Sequence, residues 1–212
     1  MIVVILAAVI NIVKDKDQTN DVLVRTGGKG ELDDSYEWPD FQVDLLTPND
    51  YSRPGLAISK IDGIVVHYTA NPGATAKQNR DYFEGLSVSH LTKASSHFIV
   101  GLDGEAIQCI PLTEISYASN QRNYDTISIE TCHPDQTGKF TKKTYDKLVE
   151  MCAWLCLRYH LDADDIIRHY DVTGKNCPKY FVEDEDAWEQ FKKDVSKKMQ
   201  HYPLINETTK EH

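Results

Sequence analysis

The chain has no excess of positive charge. Its 212 residues include 23 lysines and arginines against 33 aspartates and glutamates, a formal net charge of −10, and no basic stripe interrupts that balance. Nucleic-acid binders concentrate Lys and Arg on one face, so phosphate-backbone recognition is excluded as a first reading. Cysteine is sparse and odd in number: Cys109, Cys132, Cys152, Cys156 and Cys177 follow no small-domain framework spacing, which argues against a disulfide scaffold. Long apolar runs are missing too. A bilayer span takes about 20 apolar residues, and the one apolar stretch, Met1 to Val13 (MIVVILAAVINIV), stops short of that and lacks the basic flank expected before a signal-peptide core. No internal repeat is visible.

What the chain does have is the composition of a soluble globular domain, 41% hydrophobic and 26% charged. Residues 1–13 read as a truncated membrane anchor; an uncommon signal peptide, or a buried strand or helix, is the alternative. With an anchor or signal, the rest of the chain works outside the cytoplasm, at a cell wall or tethered to a membrane. Residues 14–35 are polar and glycine-containing and read as a linker. A single catalytic domain is expected over 36–200 and a polar, frayed tail over 201–212.

Within that domain, EWPDFQVDLLTPNDYSRPGLA mixes aromatics with Pro39, Pro48 and Pro54, and so reads as an extended segment wrapped on the core. The β-branched run Ile64-Val65-Val66 predicts a buried strand that ends on His67. A helix is expected from Thr75 to Leu86. The segment SSHFIVGLDGEAIQCIP predicts a hairpin of two half-buried strands around a Leu-Asp-Gly turn. In TISIETC the residues alternate, with Ile127 and Ile129 on one face and Ser128, Glu130 and Cys132 on the other. Thr141 is a good N-cap for a long helix, in which Cys152 and Cys156 read as small core hydrophobes. The run DIIRHYDV ends a further short apolar stretch on His169, GKNCPKYF reads as a loop, and a last helix is expected from Glu185 to Met199. Strands and helices in this order predict a mixed α/β fold, a central mixed β-sheet flanked by helices.

Two apolar runs thus each deliver a histidine at their end, and Cys177 lies a short way beyond the second. Two imidazoles and a thiolate fill three of the four tetrahedral positions of a borderline-soft cation and leave one for water, the pattern of a catalytic zinc site. A thiol hydrolase with Cys177 as nucleophile and His169 or His67 as base is a second reading of the same residues.

The segments SRPG, IVVHYTANPG, SSHFIVGLDG, TISIE and RHYDVTGKNCP together resemble the N-acetylmuramoyl-L-alanine amidase family, zinc enzymes related to phage endolysin amidases and to animal peptidoglycan recognition proteins. The likeness runs from about Tyr51 to Tyr180. It implies a peptidoglycan-recognition/amidase-like fold, Zn2+ held by His67, His169 and Cys177, and hydrolysis of the amide between N-acetylmuramic acid and L-alanine in bacterial peptidoglycan. Glu130 then falls on the family's general base, and Lys175 on the lysine beside the third ligand, where its charge would face an oxyanion. Asn71, Pro72 and Gly73 are expected to border the cleft. Many members carry a tryptophan-histidine pair where this chain reads ISYASNQRNY, and a tyrosine near the metal in some relatives falls on Ser96; Tyr117 and Asn120 stand as substitutes in substrate contact. His97 is expected to help position the site, and His90, His133, His160 and His201 to lie on the surface. The alternative within the resemblance is a peptidoglycan-binding receptor that does not cleave; such members lose the third ligand, and Cys177 is present. A monomer is expected, with muramyl peptides as its partners.

Overall fold

Each short apolar run between turn residues becomes a strand, and the computed structural model, which describes residues 32–205, arranges six of them in one sheet. The apolar start, residues 1–13, and all but the last few residues of the linker lie outside the described residues, as do 206–212. The strands are β1 (Gln42–Val43), β2 (Ile64–Val66), β3 (Phe98–Val100), β4 (Ala106–Gln108), β5 (Ile127–Thr131) and β6 (Ile166–Arg168), in the order β1-β4-β3-β5-β2-β6. Only β3 and β4 are antiparallel, the expected hairpin, with Gly104 at φ +83° in its turn; every other pair is parallel. Gly63 sits just before β2 where the chain passes Asp165: a Cβ there would lie 2.8 Å from the Asp165 carbonyl oxygen, so only glycine fits.

The sheet is covered on both faces. Phe98, Val100, Ile127 and Ile129 enter one core with α2 (Lys142–Tyr159) and α5 (Glu185–Gln200), whereas Ile99 and Ile107 enter a second core with Leu46 and with Ala76, Phe83 and Leu86 of α1 (Ala76–Ser89). The hairpin strands are therefore not half-buried as expected. Phe98, Ile99 and Val100 are each fully buried, because α1 supplies a cover that strand periodicity cannot reveal.

Helix α1 starts where the sequence predicts. Thr75 Oγ1 accepts the Gln78 N–H at 3.2 Å and Gln78 Oε1 accepts the Thr75 N–H at 2.9 Å, a reciprocal capping box. Thr75→Ala is expected to lower stability by about 1 kcal/mol, read as a shift of the denaturation midpoint at constant slope; an unchanged midpoint would refute the cap. Thr141 caps α2 without a reciprocal partner, its Oγ1 accepting the Thr144 N–H at 3.1 Å, and Cys152 and Cys156 are buried in that helix as expected.

The extended segment docks its aromatics onto α2: Trp38 and Phe41 lie 5.3 and 5.8 Å from Trp154 between ring centroids. Two expectations fail. The run DIIRHYDV turns helical from its histidine onward as α3 (His169–Thr173), and GKNCPKYF, read as a loop, runs into α4 (Lys179–Glu183), with Phe181 packed 5.2 Å from Phe191 of α5. The tail is not frayed as far as it is described. Tyr202 is buried, Leu204 bridges to Tyr36, and the Ile205 N–H donates to the Ser35 carbonyl at 2.8 Å. No helix among the described residues is long and apolar enough to cross a membrane.

Candidate active site

Parallel pairing decides what lies beside what. In the register of β2 with β6, Val66 stands opposite Arg168, so His67 and His169 leave adjacent strands side by side, their ring centroids 4.6 Å apart. On the other flank of β2, Val66 pairs with Ile129 of β5, which puts Glu130 at the same carboxyl-terminal edge. That edge is where open α/β sheets commonly place their ligands. The third donor arrives through α3. Arg168 caps this short helix by donating to Asp171 from its backbone N–H at 2.8 Å and from its guanidinium at 3.1 and 2.9 Å. Gly174 ends it at φ +76°, and the chain doubles back so that the Tyr170 N–H donates to the Cys177 carbonyl at 2.8 Å.

The donor atoms of His67, His169 and Cys177 consequently lie within 4.8 Å of one another, all three residues buried. His67 Nδ1 is 3.8 Å from Cys177 Sγ. His169 Nδ1 and Glu130 Oε2 are buried with no hydrogen-bond partner, and an unpartnered buried polar atom is costly unless something else meets it. Burial, and then the neighbouring His169 and Lys175 charges, hold the His67 imidazole well below its ordinary range; burial and Lys175 depress His169 likewise. Both rings are thus neutral, the form that ligates a cation. The residues fit a metal.

Burial pushes the Glu130 carboxyl up to about 8, with Lys175 pulling the other way. The Cys177 thiol is pushed up to about 12, again by burial first and then by Glu130, against the Tyr68 backbone N–H and Lys175. An activated cysteine nucleophile shows the opposite shift.

These groups open into a cleft of about 350 Å³ whose walls include Tyr117, Asn120, Glu130 and Lys175 together with the three donors. The other expected contacts are elsewhere. Asn71 and Gly73 form a turn tied to the flank of the site, the Gly73 N–H donating to the His133 carbonyl at 2.9 Å and Asn71 Nδ2 to Asn79 Oδ1 at 3.4 Å; with Pro72 they do not line the cleft. Ser96 is fully buried and donates to the Phe98 carbonyl at 2.8 Å, and its neighbour Ser95 takes the place on the cleft wall. His97 is buried behind β5, where Nδ1 accepts the Ser128 N–H at 3.0 Å and Nε2 lies 2.9 Å from the Glu114 carbonyl. His133 is buried against Tyr68, ring centroids 5.0 Å apart, and His160 is half-buried; neither is the surface residue expected. Sequence reasoning also passed over Tyr68, Lys93 and Asn123, which line the cleft, and Ser119, whose Oγ lies 3.1 Å from His67 Nε2. No motif marks any of these.

The family model for N-acetylmuramoyl-L-alanine amidase matches residues 58–180, more than half of the chain, a stretch that contains His67, Glu130, His169, Lys175 and Cys177. The chain belongs to this amidase family. The amidase CwlL of Bacillus licheniformis is 39% identical over 160 residues, 69% of this chain and 44% of the relative. BlyA of Bacillus subtilis (strain 168), also an N-acetylmuramoyl-L-alanine amidase, is 37% identical over 180 residues, 75% of this chain and 47% of the relative. The chain thus spans less than half the length of the curated amidases it matches. The solved catalytic domain of XlyA superposes with a TM-score of 0.62 at 26% identity, covering 74% of this chain and 99% of that domain. The amidase fold is the mixed six-stranded sheet described above.

Proposed function

We propose that this domain hydrolyses the amide between N-acetylmuramic acid and L-alanine of the stem peptide in bacterial peptidoglycan, with zinc held by His67, His169 and Cys177. The observation that carries the reading is the convergence of three buried donors within 4.8 Å beside a buried carboxylate oxygen that has no partner. Two nitrogens and one sulfur suit zinc, and three protein ligands leave the open position of a catalytic site. Zinc bound there supplies a Lewis acid that polarises the amide carbonyl and acidifies water.

The chain's own groups do the rest. Burial, which raises the Glu130 carboxyl to about 8, makes its ionised form a stronger base, and that carboxylate takes a proton from the attacking water as the new C–O bond forms and returns it to the L-alanine nitrogen as the C–N bond breaks. Lys175, on the cleft wall, offers positive charge to the oxygen that becomes anionic. Tyr117, which also lines the cleft, is the proposed substrate contact. The action is at the cell wall, outside the cytoplasm, and a membrane tether through residues 1–13 rests on the sequence alone.

The test is mass spectrometry of a purified peptidoglycan digest, with and without chelator and zinc add-back. Stem peptides bearing a new L-alanine amine, lost on chelation and restored by zinc, are the expected result. Cleavage indifferent to chelation would sink the metal reading. Binding of the polymer by zinc-loaded protein without cleavage would make the domain a receptor.

A further inference from the structure

Both ligand histidines turn their outer nitrogens toward one short loop. His67 Nε2 lies 3.1 Å from Ser119 Oγ, and His169 Nε2 lies 3.3 Å from Asn120 Oδ1. On the inner side, His67 Nδ1 faces Cys177 Sγ at 3.8 Å, and His169 Nδ1 is buried without a partner. An amide oxygen only accepts, so the ring nitrogen opposite Asn120 carries the proton. A neutral imidazole has one N–H, and the lone pair of His169 therefore sits on Nδ1, aimed into the cluster. The Ser119 hydroxyl accepts as readily as it donates, and the same assignment leaves the His67 Nδ1 lone pair beside Cys177.

The loop is built to hold these two acceptors. Asn123 Oδ1 accepts the Ser119 N–H at 2.6 Å and the Ala118 N–H at 3.1 Å, and the Arg122 N–H donates to the Ser119 carbonyl at 2.9 Å. Asn120 stands at φ +52°, a left-handed conformation that asparagine tolerates better than most residues. Ser119 is buried, which keeps its hydroxyl out of competition from water.

We infer that Ser119 and Asn120 are a positioning pair that holds both metal histidines as Nε2–H tautomers, so that each presents Nδ1 to the cation. The inference rests on the zinc reading above and assigns Asn120, on the cleft wall, a positioning role toward His169 in place of the substrate contact expected from sequence. Ligating histidines generally donate their second N–H to an oxygen, which fixes tautomer and ring plane. Here the two oxygens are adjacent in sequence, so one loop sets both rings.

Ring-nitrogen NMR of the full chain labelled with 15N-histidine reads the tautomers directly, in metal-free and zinc-loaded protein. The expected wild-type result is Nε2–H on both rings in both states. Ser119→Ala and Asn120→Gly, the latter keeping the positive φ, should each give a tautomer mixture at the facing ring in metal-free protein. Each should also lower zinc affinity, measured by chelator competition, by about 10- to 100-fold. Asn120→Asp keeps an acceptor and should restore both readouts. An Nδ1–H ring in the wild type overturns the inference whatever the variants do. Unchanged tautomers and affinity, with a raised KM in Asn120→Gly, would return Asn120 to substrate binding and likewise overturn it. Wild-type protein that binds no zinc would instead overturn the metal reading, a result distinguishable because the metal-free tautomers are read independently.

Discussion

Glu130→Gln is expected to reduce kcat/KM by about 100- to 10,000-fold, the range that a positioned general acid–base group supplies. Glutamine keeps the size and the planar end of the side chain but can neither take nor return a proton at neutral pH. Glu130 Oε2 has no hydrogen-bond partner, so the amide breaks no existing bond there, and burial already disfavours the charged carboxylate at this position. The variant should therefore fold as well as the wild type or better, and its zinc affinity should stay the same, because the proposed metal donors are His67, His169 and Cys177. The measurement is steady-state hydrolysis of a muramyl peptide alongside chelator competition and thermal unfolding. Loss of activity in kcat with intact zinc binding and a Tm no lower than that of the wild type is the expected pattern. Activity within a few fold of wild type would remove Glu130 from the proton transfer and leave it a strand residue that borders the cleft.

The donors and Glu130 were legible because each sits where a local pattern ends. His67 closes a β-branched run, and in the parallel register its neighbour across β2 and β6 is the residue that closes the other. Glu130 was legible from alternation, since Ile127 and Ile129 face the α2 core and the residue between them and Thr131 must face elsewhere. The resemblance then selected these residues from eight histidines and five cysteines. The serine pair shows where such reading stops. Ser95 and Ser96 are neighbours in an extended segment, so a slip of one position exchanges the cleft wall for the interior, and nothing in the sequence distinguishes them. The docked tail was illegible for another reason. Tyr202 and Leu204 find partners such as Tyr36 at the far end of the chain, and composition records polarity but not proximity. Ser119 escaped notice because its hydroxyl is aimed at His67, a residue brought close only by the assembled sheet, and Asn120 was placed at the substrate because its own partner, His169, is as far away in sequence.

Arg168 is the sharpest case of a residue whose weight the sequence hides, and Arg168→Ala is expected to cost about 3 kcal/mol, at the lower end of the range for removing one partner of a buried charged network. The guanidinium is nearly buried and donates to Asp171, to the Phe181 carbonyl at 2.9 Å and to Glu185 at 2.6 Å, while lying 5.4 Å from the centroid of the Trp188 ring. It therefore joins β6 and the start of α3 to α4 and α5. Glu185 is mostly exposed and can return to water, which keeps the cost from the upper end. The Phe181 carbonyl has no such escape, for Phe181 is buried. Function should follow stability here, because the residue after Arg168 is a proposed metal donor and α3 carries the chain on to Cys177. Zinc affinity is expected to fall by about 10- to 100-fold, as it does when groups that orient ligands are lost. Lysine should not rescue either effect: an ammonium cannot bridge both Asp171 oxygens while reaching Phe181 and Glu185. Denaturant unfolding of zinc-loaded and metal-free protein separates the two consequences. A midpoint that falls in both states, with a larger fall when zinc is present, is the expected result; an equal fall in both would mean that Arg168 holds α4 and α5 in place without orienting His169.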